Sequence, residues 1–119
     1  AVGGSISGHC TIDTAGEATE DFLKILDTDD GSRFMGEFAV GVNPYSVNPM
    51  KDILFDEKIF GSIHVTPGAC YDECDNGNHS AVHWDMVKLL RGDGSILFDG
   101  EVIQENGRFV HPDLLALNP

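Results

Sequence analysis

The sequence predicts an α+β domain of short, mostly antiparallel strands with hairpins and one or two helices. Three observations predict it. Apolar residues recur at helical spacing near the start of the chain. Several short stretches after residue 33 alternate apolar and polar residues. Asp-Gly and Asn-Gly steps sit between such stretches close to the end. At 119 residues, one domain is expected over 1–119, and a hydrophobic content of 41% is enough for its core.

Taken in order, GSISGHCTID (4–13) leans toward a strand. Thr14 and Glu17 fit a capping box, which starts a helix near Ala15. Ala18, Phe22, Ile25 and Leu26 then form its apolar stripe, with Glu17, Glu20, Asp21 and Lys24 between them. The polar turn DTDDGS (27–32) ends it at Gly31. RFMGEFAVGV (33–42) reads as a strand with Phe34, Phe38, Val40 and Val42 on one face. NPYSVNP (43–49) is a loop, and MKDILFDEKI (50–59) is ambiguous between loop and a short helical turn. FGSIHVT (60–66) alternates again, PGACYDECDNGN (67–78) is a loop, and SAVHWDMV (80–87) is the next strand. GSILF, Asp99-Gly100 and EVIQ form the strongest hairpin signal, because Asp-Gly suits the positive φ angles of a type I′ turn. Asn106-Gly107 turns into RFV, and HPDLLALNP closes the chain as an irregular apolar segment. The count is five to seven short strands.

Composition narrows the function classes. Twenty acids against seven Lys and Arg give a net charge of −13, which repels phosphate backbones and excludes nucleic acid as a partner. There is no long apolar run and no basic leader followed by an apolar stretch, so neither a membrane span nor a signal peptide is expected. Cys10, Cys70 and Cys74 form no C-x-x-C pair, which excludes a zinc ribbon and a thioredoxin-type motif; reduced thiols and a cytoplasmic location are expected. NHS (78–80) and RGD (91–93) match glycosylation and adhesion patterns too short to carry weight.

The chemistry-bearing residues follow from strand alternation. In SAVHWDMV, Val82, Trp84 and Met86 share the face that looks like core, and His83 and Asp85 share the other. In SIHVT, Ile63 and Val65 face inward, with His64 opposite beside Ser62 and Thr66. In GEFAV, Glu37 lies opposite Phe34, Phe38 and Val40. An isolated His or Glu on such a face is ordinarily just solvated. If the three strands share a sheet in matching orientation, however, Glu37, His64, His83 and Asp85 converge. Two imidazoles and two carboxylates suit zinc, cobalt, manganese or iron(II), and ligands spread this widely along a chain suit a catalytic site rather than a local finger.

At these residues a family resemblance emerges. GEFAVGVNP, ILFDEKIFGSIH, GACY, GNHSAVHWD and FDGEVIQENGRFV, in this order, resemble the C-terminal part of the thermophilic aminopeptidases of the aminopeptidase T and S type. The resemblance runs from about residue 33 to the end, with a weaker echo in the helix before it. It implies the C-terminal metal-binding domain of a two-domain, homodimeric enzyme that removes N-terminal residues from peptides with two divalent ions (Zn, Co or Mn). It implies Glu37, His64, His83 and Asp85 as metal ligands, Tyr71 as the catalytic tyrosine and Glu57 as a possible supporting acid. The family's site includes a further glutamate upstream of GEF, which nothing before Glu37 matches. The chain is therefore expected to carry a partial site and to be inactive in isolation. TPGACYDEC departs from the more aliphatic version, with Pro67 and Cys70 marking the divergence.

Two alternatives stand beside this. His64, His83 and Asp85 alone satisfy the 2-His-1-carboxylate set of a mononuclear iron ring-cleaving dioxygenase, which resembles the same scaffold. Tyr71 and Glu37 favour the peptidase, since a one-iron site needs neither. A small β domain using these residues for structure or partner binding is the non-enzymatic alternative.

Overall fold

A computed structural model describes residues 19–119. The β-leaning stretch 4–13 with Cys10, the Thr14–Glu17 capping box, the helix start near Ala15 and Ala18 all lie outside the described residues. The elements are α1 (Thr19–Leu26), β1 (Met35–Gly41), α2 (Ile53–Asp56), β2 (Ser62–Pro67), a 3₁₀ turn (Asp72–Cys74), β3 (Met86–Leu89), β4 (Ser95–Phe98), β5 (Glu101–Glu105), β6 (Arg108–Phe109) and a 3₁₀ helix (Pro112–Leu117). The strands form two three-stranded sheets, ordered β1-β2-β3 and β4-β5-β6, so the expected α+β class holds. No helix among the described residues is long and apolar enough to cross a membrane.

The chain divides into two compact units that alternate along the sequence. The first takes the described residues through Phe38 together with Val65–Asp85; the second takes Ala39–His64 and Met86–Pro119.

In the first unit, α1 buries Leu26 completely, and Phe22 packs on Trp84 with ring centroids 5.1 Å apart. Ile25 is exposed, so the helix buries a narrower stripe than its spacing predicts. The apolar face expected on 33–42 forms only in part: Val40 is half-buried, Phe34 and Val42 are exposed, and the buried positions of β1 are Gly36 and Gly41. The reason is a close backbone approach. A Cβ on Gly36 would lie 2.1 Å from the Ala69 carbonyl oxygen, so only glycine lets the 68–69 backbone lie over the strand. Gly68 N–H donates to the Phe34 carbonyl at 2.8 Å, and Asn76 Nδ2 donates to the Met35 carbonyl at 2.9 Å.

The strand predicted over 80–87 begins only at Met86. Before it, His83 makes a single isolated bridge to Gly68, and Trp84 is exposed rather than core. Side chains have taken the backbone donors a ladder would use: Ala81 N–H gives to Asp29 Oδ2 and Val82 N–H to Ser80 Oγ. Asn78 Nδ2 donates to the carbonyls of Gly31 (3.0 Å) and Gly68 (2.6 Å), which ties this stretch to the turn after α1.

The second unit has its core at Phe60, Ile103 and Phe109, with Val40 and Leu114 packed against them. Phe60 and Phe109 meet edge-on at 6.2 Å, a geometry that aromatic quadrupoles favour. The ambiguous segment 50–59 resolves into α2, capped by Asp52, whose side chain accepts from Leu54 N–H. Both predicted hairpin turns form. Asp99 (φ 51°) and Gly100 (φ 88°) bring Phe98 opposite Glu101, and Asn106 (φ 49°) and Gly107 (φ 78°) bring Glu105 opposite Arg108. The closing segment is not irregular: Pro112 starts a 3₁₀ helix after His111, whose side chain accepts from Asp113 N–H.

Gly36→Ala is expected to destabilise the protein by about 1–3 kcal/mol through overpacking against Ala69. A thermal-denaturation midpoint unchanged from the parent would show that the 68–69 backbone can move aside.

Candidate metal centre

Strand β2 inverts the usual rule of burial. Ser62 and Thr66 are 0% exposed and His64 is 7% exposed, while Ile63 and Val65 remain half-buried. The sequence put the aliphatic residues inward and left His64 to solvent; the structure reverses this. Polar side chains enclosed in this way are costly unless something satisfies them. Here a cluster of polar groups takes that place.

Within the first unit, Glu37 comes from β1, Thr66 from β2, and His83 and Asp85 from the extended run before β3. His83 Nε2 lies 3.5 Å from Glu37 Oε2 and 3.4 Å from Asp85 Oδ1, and the three side chains are 30%, 19% and 15% exposed. Thr66 Oγ1 stands 3.2 Å from the same Glu37 oxygen and 2.5 Å from the same Asp85 oxygen. His83 Nδ1 faces the Ala69 carbonyl at 2.9 Å. A carbonyl only accepts, so Nδ1 donates there, and Nε2 is the ring nitrogen that faces the carboxylates. One ligand atom from each of Glu37 and Asp85 lies within 4.8 Å of the other. Of the donors singled out in the sequence, Glu37, His83 and Asp85 come together within the first unit, and His64 belongs to the second.

The donor set fits a divalent ion on two grounds. Carboxylate oxygens and an imidazole nitrogen gathered this closely are the donor types that zinc and its neighbours take. The 3.4–3.5 Å edges also match a tetrahedron whose corners lie about 2.1 Å from its centre, the bond length of zinc to nitrogen and oxygen. The His83–Ala69 bond is the outer partner that a ligating imidazole ordinarily keeps.

Tyr71 caps the N-terminus of the 3₁₀ turn, and its ring centroid is 5.2 Å from that of His83. More than half of it faces solvent, where a substrate would approach. Glu57 belongs to the second unit, at the C-cap of α2, where its carboxylate pairs with Lys58. It is not in the group of converging ligand atoms.

Two residues that position this site were not picked out in the sequence. Thr66 stood next to His64 in the alternation, but a hydroxyl is an unremarkable neighbour until its burial is known. Asp29 sits in the turn after α1 and gathers four donors: Gly31 N–H (3.0 Å), Ser32 Oγ (2.9 Å), Ser80 Oγ (2.8 Å) and Ala81 N–H (2.8 Å). It pins the run that leads into His83. The Ala81 amide, then the Ser80 and Ser32 hydroxyls, lower its pKa from 3.8 to about 2.

The family model described as thermophilic metalloprotease (M29) matches residues 7–109. The chain belongs to this family. No curated protein matches the chain, and neither does any solved structure. The match begins well before residue 33, where the motif resemblance starts, and takes in the helix and turn that carry Asp29. As a metalloprotease, the chain has a use for the divalent ion its donors fit.

The Asp29 contacts give a defined pH dependence. The folded-state pKa lies below the unfolded one, so their stabilisation is fully present above about pH 4 and is lost as pH falls toward about 2. In chemical denaturation, the stability gap between the parent and Asp29→Asn is expected to be constant above about pH 4 and to close toward pH 2. A gap independent of pH down to 2 would remove Asp29 from this role.

Proposed function

We propose that the chain is part of the catalytic domain of a metal-dependent aminopeptidase that removes N-terminal residues from peptides, with two divalent ions (Zn, Co or Mn) held by Glu37, His64, His83 and Asp85 together with the family's further glutamate. The observation that carries this reading is the approach of Glu37 and Asp85 to one imidazole and one buried hydroxyl, in a chain of metalloprotease family. When bound, such ions supply Lewis acidity that draws the pKa of a water toward neutrality and polarises a carbonyl.

The chain's own residues do the remainder. The two carboxylates offset the charge of the ions, and the imidazoles complete the set without adding charge. The Ala69 carbonyl accepts from His83 Nδ1, which turns Nε2 toward the carboxylates. Tyr71 is placed to donate its phenolic proton as a hydrogen bond to the oxyanion that forms when the scissile carbonyl is attacked. The surface, at −13, attracts the free α-ammonium of a peptide and repels polyanions. A homodimeric, two-domain, cytoplasmic protein is part of the same reading and rests on the motif resemblance alone. The family match gives no support to the ring-cleaving dioxygenase.

In the full-length enzyme, peptides with a free N-terminus are expected to lose their first residue when Zn, Co or Mn is supplied, while N-acetylated counterparts stay intact. Equal cleavage of both, or cleavage indifferent to a chelator, would sink the proposal. Elemental analysis is expected to find two ions per chain; one would replace the dimetal reading with a mononuclear one. Tyr71→Phe is expected to keep the metal and lose about 10²–10³ in kcat. Unchanged turnover would take Tyr71 out of the mechanism.

A further inference from the structure

The geometry points to Thr66 as a positioning residue: its hydroxyl sets the two carboxylates at ligand spacing before an ion arrives. The inference rests on the metal-dependent reading above and adds a residue to it. Thr66 is fully buried, and its Oγ1 touches Glu37 Oε2 at 3.2 Å and Asp85 Oδ1 at 2.5 Å. These are the oxygens that face His83 Nε2 at 3.5 and 3.4 Å. Oγ1, Oε2, Nε2 and Oδ1 thus close a four-cornered ring drawn from β1, β2 and the run before β3.

A hydroxyl has one proton, and two ionised carboxylates have none to return. The proton is shared between Oε2 and Oδ1, or alternates, and either way the O–H dipole points into the gap between the two anions. A charge-assisted O–H···O⁻ bond of this length is among the stronger hydrogen bonds in proteins. It selects one oxygen of each carboxylate and turns it toward His83. It also offsets part of the repulsion that would rotate the two groups apart. Threonine suits the role because its branched Cβ restricts χ1, so the hydroxyl direction is fixed by the strand itself. An apolar residue of the same shape would leave the carboxylates without this donor and free to splay.

The test uses the 119-residue chain with Co(II) alone as the probe. It compares the parent, Thr66→Val, Thr66→Ser and His83→Ala by titration calorimetry and by the visible absorption of bound Co(II), which reports coordination geometry. Thr66→Val is expected to weaken Co(II) binding about 10–100-fold and to change the spectrum. Thr66→Ser, which keeps the hydroxyl, is expected to restore both. A role confined to packing would lower thermal stability while leaving affinity and spectrum as in the parent, and that result overturns the assignment. If Thr66→Val does not fold, Thr66→Ser decides: parent-like binding supports the hydroxyl, and binding lost with only the methyl removed overturns it. If the parent takes up no Co(II), the Thr66 role falls, because the carboxylates it sets do not hold an ion in this chain. Binding that His83→Ala abolishes and Thr66→Val leaves intact removes Thr66 alone.

Discussion

Glu37 and Asp85 are two like charges held close together, and the surrounding structure is arranged around that fact. Their ligand atoms lie within 4.8 Å of each other. At that separation two unit charges repel by about 3–4 kcal/mol in an effective dielectric of about 20. A domain of ordinary stability has about 5–15 kcal/mol in all, so this is a large share to set against folding. Groups left to themselves would turn toward water. Here one hydroxyl and one imidazole face both of them. Such a cluster is least favourable when empty and most favourable around a cation, as a binding site requires.

Holding the cluster falls to backbone that is mostly irregular. The residues just before β3 pair with no neighbouring strand except through the bridge at His83, so their geometry comes from side chains acting on backbone. Asp29 anchors Ser80 and Ala81, Ser80 anchors Val82, and Asn78 joins Gly31 to Gly68. Each bond is modest alone. Together they give His83 and Asp85 fixed starting points, and the Ala69 carbonyl then sets the imidazole. These bonds are also short in sequence terms only on one side: Asp29 and Ala81 are 52 residues apart. The turn after α1 is therefore part of the site's support, although none of its side chains reaches the donors.

What the sequence made legible divides along physical lines. The hairpins were legible because Asp99-Gly100 and Asn106-Gly107 encode their turns locally, in the sign of φ. His83 and Asp85 were legible as a pair because residues two apart in an extended run share a side. Alternation does not say which face lies inside. In β2 the intuitive choice put Ile63 and Val65 in the core, whereas Ser62, His64 and Thr66 occupy it. The same limit applies to Trp84, whose apolar character suggested core but which covers Phe22 from an exposed position. Gly36 carries no side chain to signal that another backbone lies across it, so the Phe34–Val42 stripe looked like the buried face. Support that depends on contacts between distant residues, as with Thr66 and Asp29, leaves no local trace at all.

The stretch TPGACY is held by backbone constraints on both sides. Pro67 has a fixed φ and no N–H, and its carbonyl accepts from Trp84. Gly68 has φ 99°, and a Cβ there would lie 1.9 Å from the Val82 carbonyl oxygen, so no other residue fits. Ala69 gives its N–H to Val82 and its carbonyl to His83. Within six residues the chain therefore places the Thr66 hydroxyl beside the carboxylates, fixes the imidazole and delivers Tyr71 next to it. A change in this segment cannot be absorbed locally, because each backbone group already has a fixed partner.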